Sequence, residues 1–192
     1  VIIRNVYFMK DLVNKTIDLA KLNTDKIKFS METLKLNEEI NEVINNNQVL
    51  FQENNIQIST AVEPSIEIIG DKLRIQEVFN NLLTNAIKYS SKEGGFIEIT
   101  AEETGPNEIT IGVKDSGIGM TEEQQHHMFD EFYKADESRH NLDSSGLGLS
   151  ITKKIVEKHG GKIWAESEGR GKGSIFYFTL NKKIKKNECN EI

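Results

Sequence analysis

The stretch DKLRIQEVFNNLLTNAIKYS, residues 71–90, decides the fold because it carries two distinct faces at helical spacing. Apolar residues repeat at i, i+3, i+4, i+7, i+8 and i+11, which predicts one long helix that packs on a core. These residues are Ile75, Val78, Phe79, Leu82, Leu83 and Ala86. The opposite face carries polar side chains at the same spacing, namely Glu77, Asn81, Asn85 and Lys88. The pattern therefore predicts a helix from Asp71 to about Tyr89 with one polar face.

The polar face of this helix is either an ordinary solvated surface or a ligand site. Asparagine is a mediocre helix former, and a solvated face is usually filled with Glu, Lys or Gln. Asn81 and Asn85 are four residues apart, so their amide oxygens could hold Mg²⁺ as neutral ligands while the Lys88 ammonium meets a phosphate. The spacing favours this metal and phosphate site over a solvated face.

The N-terminal segments predict further helices and a short strand. Residues 5–23 carry a broad apolar face and predict a helix that packs either on its own domain or on another chain. Residues 26–36 predict a connector with a short strand. Asn37 is expected to cap the next helix. The predicted core face of that helix is Ile40, Val43, Ile44 and Leu50.

The order of the remaining elements indicates the fold class. Helices are predicted to begin at Thr121 and before Ile151, and strands lie around residues 56–61, 66–69, 96–99, 109–113, 163–165 and 175–180. The strands cluster and the helices do not strictly alternate with them, so we expect a two-layer α/β sandwich. Its sheet is mixed and mostly antiparallel, helices cover one face, and one long helix precedes it. A doubly wound parallel fold does not fit this order.

Composition excludes several classes of function and of site. The chain has 192 residues, and its 24 basic and 30 acidic side chains give a net charge of −6, which argues against nucleic acid as a partner. The single cysteine, Cys189 in a charged tail, excludes a disulfide scaffold and a thiolate metal site. No apolar run reaches the ~18 residues of a membrane span. We therefore expect a fragment made in an ATP-containing cytoplasm, although a longer parent protein could be anchored in a membrane.

Two glycine motifs add candidate ligand contacts. In KDSGIGM, residues 114–120, a strand ends at Asp115, and Gly117 and Gly119 allow a tight turn close to a ligand. The motif is either an ordinary Asp-Ser-Gly turn or a carboxylate that accepts a hydrogen bond from the exocyclic amine of a base. In DSSGLGLSITKK, residues 143–154, small residues lead into a helix whose N-terminus suits a phosphate chain, although a glycine-containing helix start is common.

The stretch before the second glycine motif, residues 134–145, is polar and has no periodicity. A stretch of this length without structure of its own is often functional, and it is expected to form a lid over the ligand. Lys134, Arg139 and His140 would then be available to phosphates.

Five motifs together resemble a known family. NNLLTNAIKYS, KDSGIGM, MFDEFYKAD, SSGLGLSITKKIVEKHGGKIWAES and GKGSIFYFTL are similar to the asparagine box, first glycine box, phenylalanine box, second glycine box and last glycine box of sensor histidine kinases. The ATP-binding domain of that family shares the Bergerat fold with gyrase, Hsp90 and MutL. The resemblance spans roughly Asn37 to Leu180 and implies ATP or ADP and Mg²⁺ as ligands.

The resemblance implies a role for each matching residue. Asn85 would be the main Mg²⁺ ligand with Asn81 assisting, Lys88 would face the phosphates, and Tyr89 would pack beside the adenine. Asp115 would bind the adenine amine. Further nucleotide contacts are implied for Gly117, Gly119, Phe132, Lys134, Ser145, Gly146, Leu147 and Gly148. The residues expected to act in catalysis are Asn81, Asn85, Lys88 and Lys134.

The resemblance also implies a domain order and partners. Residues 1–24 would be the C-terminal helix of the dimerisation and phosphoacceptor domain, 25–36 a linker, 37–181 the ATP-binding catalytic domain and 182–192 a charged tail. The implied partners are the phosphoacceptor histidine helix of the parent protein, a response regulator receiver domain and a second copy of the chain, paired through the N-terminal helix.

The chain departs from the family pattern at several positions. Asp130 replaces a glutamate of the phenylalanine box, and Ser144 stands where the second glycine box often has glycine. The family's acceptor histidine is followed by an acidic residue and soon by proline. The four histidines, His126, His127, His140 and His159, lack that context. The acceptor is therefore expected upstream of Val1 or on another chain.

Two alternatives to a kinase remain. Hydrolytic members of this fold carry a glutamate four residues before the Mg²⁺-binding asparagine. The chain has Asn81 there, an amide that cannot act as a general base, and Glu77 is one turn further away. A hydrolysing ATPase is therefore the weaker hypothesis, and a nucleotide-binding regulatory module that does not transfer phosphate is the other.

Overall fold

The computed structural model describes residues 2–24, 27–91, 93–134 and 145–183. Its helices and strands, in chain order, are α1 Ile2–Leu22, β1 Met31–Lys35, α2 Leu36–Asn46, α3 Gln48–Glu53, β2 Ile56–Ala61, β3 Glu67–Asp71, α4 Lys72–Lys88, β4 Gly95–Gly105, β5 Glu108–Asp115, α5 Glu122–His127, α6 Gly148–Lys158, β6 Ile163–Glu166 and β7 Ser174–Asn181. Over these residues no helix is both long enough and apolar enough to span a membrane.

A five-stranded mixed sheet forms one layer of the molecule. Its strand order is β2-β4-β5-β7-β6, with β2 parallel to β4 and the other neighbours antiparallel. Helices α4 and α6 pack against each other and against this sheet. The predicted α/β fold with a mixed, mostly antiparallel sheet and a preceding helix is confirmed. A second sheet, in which β1 pairs with β3, was not predicted.

Helix α4 forms as its periodicity predicts. Asp71 is its N-cap, and its Oδ1 accepts a hydrogen bond from the Arg74 N–H at 3.1 Å. The whole apolar stripe is buried, and Phe79 meets Phe178 of β7 edge-to-face with ring centroids 5.5 Å apart. The same burial holds the polar face of α4 away from the sheet, which is the geometry that a ligand site on this face requires.

The helix expected after Asn37 differs from the prediction in two ways. It begins at Leu36, which is fully buried, and its N-cap is Lys35 rather than Asn37. It also ends at Asn46, and the C-cap Asn47, whose side chain donates to the Val43 carbonyl at 2.9 Å, separates α2 from α3.

The break at Asn47 changes which side of the following turn faces the core. Phe51 is buried there, and Leu50 is 41% exposed rather than part of the core face. Asn47 is itself buried and bonds Asn80 of α4 at 2.7 Å, so a tertiary contact fixes the position of the break.

Helix α1 packs on its own domain only at its C-terminal end. Leu19 and Leu22 at its C-terminal end are buried, and this end packs on α6. An exposed stripe covers the rest of the helix and consists of Ile3, Val6, Met9, Val13 and Ile17. The domain boundaries remain predictions, although β1, within the segment expected to be a linker, is hydrogen-bonded to β3.

Candidate functional site

Asp115, the last residue of β5, lies at the base of the candidate site. It is 7% exposed, and its Oδ1 accepts a hydrogen bond from the Gly117 N–H at 2.8 Å. Burial raises the pKa of this carboxyl, while hydrogen bonds from the backbone of Gly117 and Ser174 oppose the increase. The geometry is that of an Asp turn. Because the carboxylate is also buried from solvent, it would be a strong acceptor for a hydrogen-bond donor on a ligand.

The first glycine loop, residues 115–119, is held so closely that side chains do not fit. A Cβ at Gly117 would lie 2.7 Å from both Asp115 Oδ1 and the Tyr89 carbonyl oxygen. Gly119 has φ +65°, and a Cβ there would overlap the Gly169 carbonyl oxygen. The Ile118 N–H donates to the Tyr89 carbonyl at 3.0 Å, which ties the loop to the end of α4. Tyr89 therefore lies beside this loop.

The loop between β6 and β7, residues 167–173, fixes the first glycine loop from the other side. The Ser167 hydroxyl accepts from the Met120 N–H at 3.0 Å and donates to the Gly173 carbonyl at 2.6 Å. The Gly173 N–H donates to the Gly117 carbonyl at 3.1 Å. No role was predicted for Ser167 or Gly173 from the sequence. Gly173 lies in the last glycine box, which could have indicated its role, whereas a single serine in a loop belongs to no pattern that would indicate one.

The amides on the polar face of α4 differ in their contacts. Asn81 Nδ2 lies 3.5 Å from the Gly148 carbonyl oxygen and 3.3 Å from Thr152 Oγ1, so Asn81 faces the first turn of α6. The Asn85 side chain makes no hydrogen bond to any described residue and is half-exposed. The Lys88 ammonium is 3.1 Å from the Tyr89 hydroxyl and 4.6 Å from the centre of its ring. The helix thus presents an amide oxygen and an ammonium that a ligand can reach.

The second glycine motif leads into α6 at the Asn81 side. Leu147 is the N-cap residue and is fully buried, and no side chain caps the helix. The Ser145 hydroxyl is buried and accepts from the Leu147 N–H at 3.4 Å. The first N–H groups of a helix lack intrahelical partners, so this N-terminus can receive a phosphate.

The two ends of the expected lid are close together. The Phe132 N–H donates to the Gly146 carbonyl at 3.1 Å, and both residues have positive φ, +64° and +71°. Phe132 thus bonds through its backbone, and its ring is 57% exposed. Lys134 is exposed beside it, while Arg139, His140 and Ser144 lie outside the described residues.

The carboxylate and imidazole side chains that could act as a general base, a phosphate acceptor or a metal ligand are paired or lie elsewhere in the molecule. The Glu77 carboxylate is paired with Arg74 at 2.7 Å. His126 and His127 are exposed on α5, whereas His159 is buried at the end of α6. Within the described ranges no three His, Cys, Asp or Glu side chains could jointly hold a metal ion. A metal at this site would therefore need the neutral amide oxygens of α4 together with oxygens from its ligand.

Comparison with known proteins finds one family model. Residues 70–184 match the model described as histidine kinase-, DNA gyrase B- and HSP90-like ATPase. The match includes every motif on which the sequence resemblance rests.

Two curated relatives have similar sequences. The cyanobacterial phytochrome B of Nostoc sp. is 35% identical over 179 residues, which cover 93% of this chain and 23% of that protein. The sensor protein kinase WalK of Staphylococcus epidermidis is 33% identical over 170 residues, 88% of this chain and 28% of that protein. The chain thus spans about a quarter of the length of these relatives.

Solved structures match the fold. The catalytic domain of the histidine kinase ThkA, in a nucleotide-free form, aligns with a TM-score of 0.70 at 30% identity, covering 81% of this chain and all of that one. Full-length ShkA in complex with AMPPNP aligns with a TM-score of 0.79 at 25% identity, over 91% of this chain and 36% of that one. ThkA in complex with the response regulator protein TrrA aligns with a TM-score of 0.73 at 28% identity, over 91% and 48%.

Proposed function

The chain belongs to the family of histidine kinase-, DNA gyrase B- and HSP90-like ATPases and is homologous to sensor histidine kinase catalytic domains, and from that premise we propose that it transfers phosphate from ATP to a histidine. The γ-phosphoryl group leaves the bridging oxygen of ATP, bonds to an imidazole nitrogen and leaves ADP behind. The acceptor histidine is on a dimerisation helix outside this chain. The observation that best supports the proposal is that Asn81 of α4 lies against the first turn of α6, with the buried Asp115 carboxylate at the end of the adjoining strand.

The adenine is proposed to bind at Asp115. Its amine would donate to the carboxylate, and the backbone of Gly117 and Gly119 would form one wall with Tyr89 at the edge. The close packing at both glycines supports this, because it fixes the course of the backbone beside the Asp115 carboxylate. This wall is already rigid before a nucleotide binds, which lowers the entropy lost on binding.

The phosphates and Mg²⁺ are proposed to bind between α4 and α6. The residue types fit Mg²⁺, which takes oxygen ligands in octahedral geometry and keeps waters and substrate phosphates among them. Asn85 and Asn81 would hold the ion. When bound, Mg²⁺ supplies positive charge to the phosphate oxygens. Lys88 and Lys134 would add charge, and Ser145, Gly146, Leu147 and Gly148 would bring backbone N–H groups to the phosphates.

The partners are proposed from the helix that precedes this site. The exposed apolar stripe of α1 supports pairing with the acceptor helix and with a second copy of the chain. A response regulator receiver domain is the proposed next acceptor of the phosphoryl group. The reaction requires ATP, so we place the chain in the cytoplasm, whether or not its parent protein is anchored in a membrane.

Hydrolysis of ATP is not the favoured reaction. The residue four positions before Asn85 is Asn81, whose amide cannot take a proton from water. The Glu77 carboxylate is one turn further away and is paired with Arg74.

Transfer can be tested with γ-labelled ATP and Mg²⁺. The chain is incubated alone and then with a separately expressed dimerisation domain that carries the acceptor histidine. We expect acid-labile label on the acceptor domain only, because holding acceptor and phosphate together is worth ~7–11 kcal/mol of barrier. Asn85→Ala should abolish the label, whereas Asn41→Ala, an exposed helical asparagine on α2, should not.

Three results would contradict the proposal or a part of it. Binding of ATP with no label on the acceptor would favour the regulatory module. Rapid release of phosphate by the chain alone would favour the hydrolysing ATPase and give Glu77 a role. Label on His126, His127, His140 or His159 in the chain alone would show that the acceptor assignment is wrong.

A further inference from the structure

His159 is buried at the C-terminal end of α6, the opposite end of that helix from the glycine motif. Its side chain is 2% exposed. Nε2 is 3.0 Å from the Asp71 backbone nitrogen and Nδ1 is 2.8 Å from the Ile155 carbonyl oxygen. A backbone N–H can only donate and a carbonyl can only accept, so Nε2 is the acceptor and the ring proton is on Nδ1. Burial lowers the pKa of His159, which agrees with a neutral ring.

Asp71, the partner of His159, joins three parts of the molecule. It caps α4 through Oδ1, as described above, and its Oδ2 accepts from the Ser30 N–H at 2.8 Å. The Phe29 ring lies 5.0 Å from the His159 ring. Residues 29 and 30 belong to the connector that follows α1. The connector, the start of α4 and the end of α6 therefore meet at one imidazole.

Gly70 leaves room for this ring because it carries no side chain. A Cβ at Gly70 would lie 3.2–3.3 Å from two ring atoms of His159 and would overlap the Ile75 side chain. Asn181 of β7 donates from Nδ2 to the His159 carbonyl at 3.0 Å, so the sheet holds the backbone of the same residue. The ring is thus fixed from several directions and has little freedom to rotate.

Both ends of α6 are linked to α4 or to its N-cap. At the candidate phosphate end, the Asn81 amide contacts Gly148 and Thr152 at 3.3–3.5 Å. At the C-terminal end of α6, the bond from the Asp71 N–H to His159 Nε2 is shorter, at 3.0 Å. Packed helices behave as stiff bodies with discrete arrangements, so a shift at one end is carried to the other. The shorter link is the one remote from the candidate phosphate site.

We propose that His159 is a positioning residue that keeps the metal-binding face of α4 aligned with the phosphate-binding end of α6, and that it carries the position of the connector to that site. This inference rests on the proposed function. It concerns only the phosphate and metal side of the site. The adenine side is tied to the far end of α4 at Tyr89 and is also bonded to the loop of residues 167–173, none of which bonds the His159 ring.

The inference predicts a selective effect of His159→Phe. Phenylalanine retains a ring against Phe29 but leaves the Asp71 N–H without an acceptor. We expect the affinity for ATP to fall about tenfold with Mg²⁺ and less than about twofold with EDTA, because only the α4–α6 alignment is lost. His159→Gln, which offers both an acceptor and a donor, should recover part of the Mg²⁺-dependent affinity.

A second pair of variants tests the connector. Phe29→Leu removes the ring that touches His159 and should lower the Mg²⁺-dependent affinity by about threefold. Trp164→Leu is the matched control, because it also removes a ring from a ring pair, the one with Tyr177 at 5.3 Å. Trp164 is exposed on the edge strand β6, whose residues Ile163 and Ala165 are the ones that pack against the core. Trp164→Leu should leave the ratio of the two affinities unchanged.

Affinities are measured by calorimetry well below each variant's melting temperature. A purely structural role would lower the melting temperature of His159→Phe and leave the ratio of affinities with Mg²⁺ and with EDTA at the wild-type value, which overturns the inference. If His159→Phe does not fold, an unchanged ratio in both His159→Gln and Phe29→Leu overturns it equally. Failure of the wild-type chain to bind Mg²⁺–ATP would instead refute the proposed function itself, and with it this inference.

Discussion

The two sides of the candidate site are built differently. On the adenine side, hydrogen bonds of 2.7–3.1 Å fix the first glycine loop to the end of α4 and to the loop of residues 167–173. On the phosphate side, the Asn85 side chain has no hydrogen-bond partner in the described structure, and Lys134 is exposed. The adenine side is therefore already hydrogen-bonded in the free protein, whereas the phosphate side still has side chains available to a ligand. Rigid backbone is therefore expected to supply affinity for the base, and the side chains of α4 to supply the response to Mg²⁺.

This contrast has a structural origin. The adenine side is made from strand ends and glycine loops, in which backbone groups and the Asp115 and Ser167 side chains bond one another. The phosphate side joins one face of α4, whose backbone groups are already paired within the helix, to the N-terminus of α6, whose first N–H groups lack intrahelical partners. On α4 only side chains can contact a ligand, and binding has to order them.

Asp115→Asn is expected to have the largest effect, because it changes the adenine side, whose hydrogen bonds are already formed in the free protein. The amide replaces a charged acceptor by a neutral group that can present a donor to the adenine amine. A hydrogen bond to a charged group is worth about 1.5–3 kcal/mol, so ATP affinity should fall roughly 10- to 100-fold, equally with and without Mg²⁺. Calorimetric titration measures both values. Unchanged affinity in a folded variant would mean that Asp115 is only a turn residue.

Asn85→Ala should have a smaller effect, confined to the other side. Removing an Mg²⁺ ligand should lower ATP affinity with Mg²⁺ by about tenfold and leave the affinity in EDTA as it was. Melting curves with saturating ligand provide the same test, because a ligand at about 100 times its Kd raises the unfolding free energy by about 2.7 kcal/mol. A variant stabilised by Mg²⁺–ATP as strongly as the parent would exclude Asn85 as a ligand.

The pH dependence should be the mildest effect and again belongs to the adenine side. Burial raises the pKa of Asp115, so ionisation of this group opposes folding of the free chain. Its contribution to stability is present below the ordinary pKa of 3.8 and is lost as pH rises through the raised value. Nucleotide affinity should run the opposite way, because the adenine amine needs the carboxylate, and should fall about twofold when pH reaches the raised pKa.

Titration of ADP in EDTA across the acidic range checks this prediction, with Asp115→Asn as the control that should be flat. A wild-type affinity that stays constant, or that rises as pH falls, would separate Asp115 from base binding. A dependence that appears only with Mg²⁺ would assign it to the phosphate side instead.

Local patterns predicted most of the elements. The apolar repeat and the Asp71 cap of α4 lie within one stretch of chain, so α4 could be identified without its surroundings. Thr121 likewise starts α5 with a capping box that pairs it with Gln124. The prediction failed at Leu50, because the buried Asn47 breaks the helix through its contact with Asn80, a residue far along the chain. No short-range pattern contains that contact.

The candidate residues follow the same division. The sequence by itself determined which side chains are available: two amides and a lysine on one helix face, an aspartate at a strand end, and glycines where backbone must pass closely. Only the tertiary structure decided their meeting, since Asn81 touches Thr152 and Asp71 touches His159 across long stretches of chain. It also decided the role of Ser167, whose hydroxyl is unremarkable until the loop around it folds. The physical reason is range: helical periodicity and capping act within a few residues, whereas the register between packed elements depends on how the whole core fills.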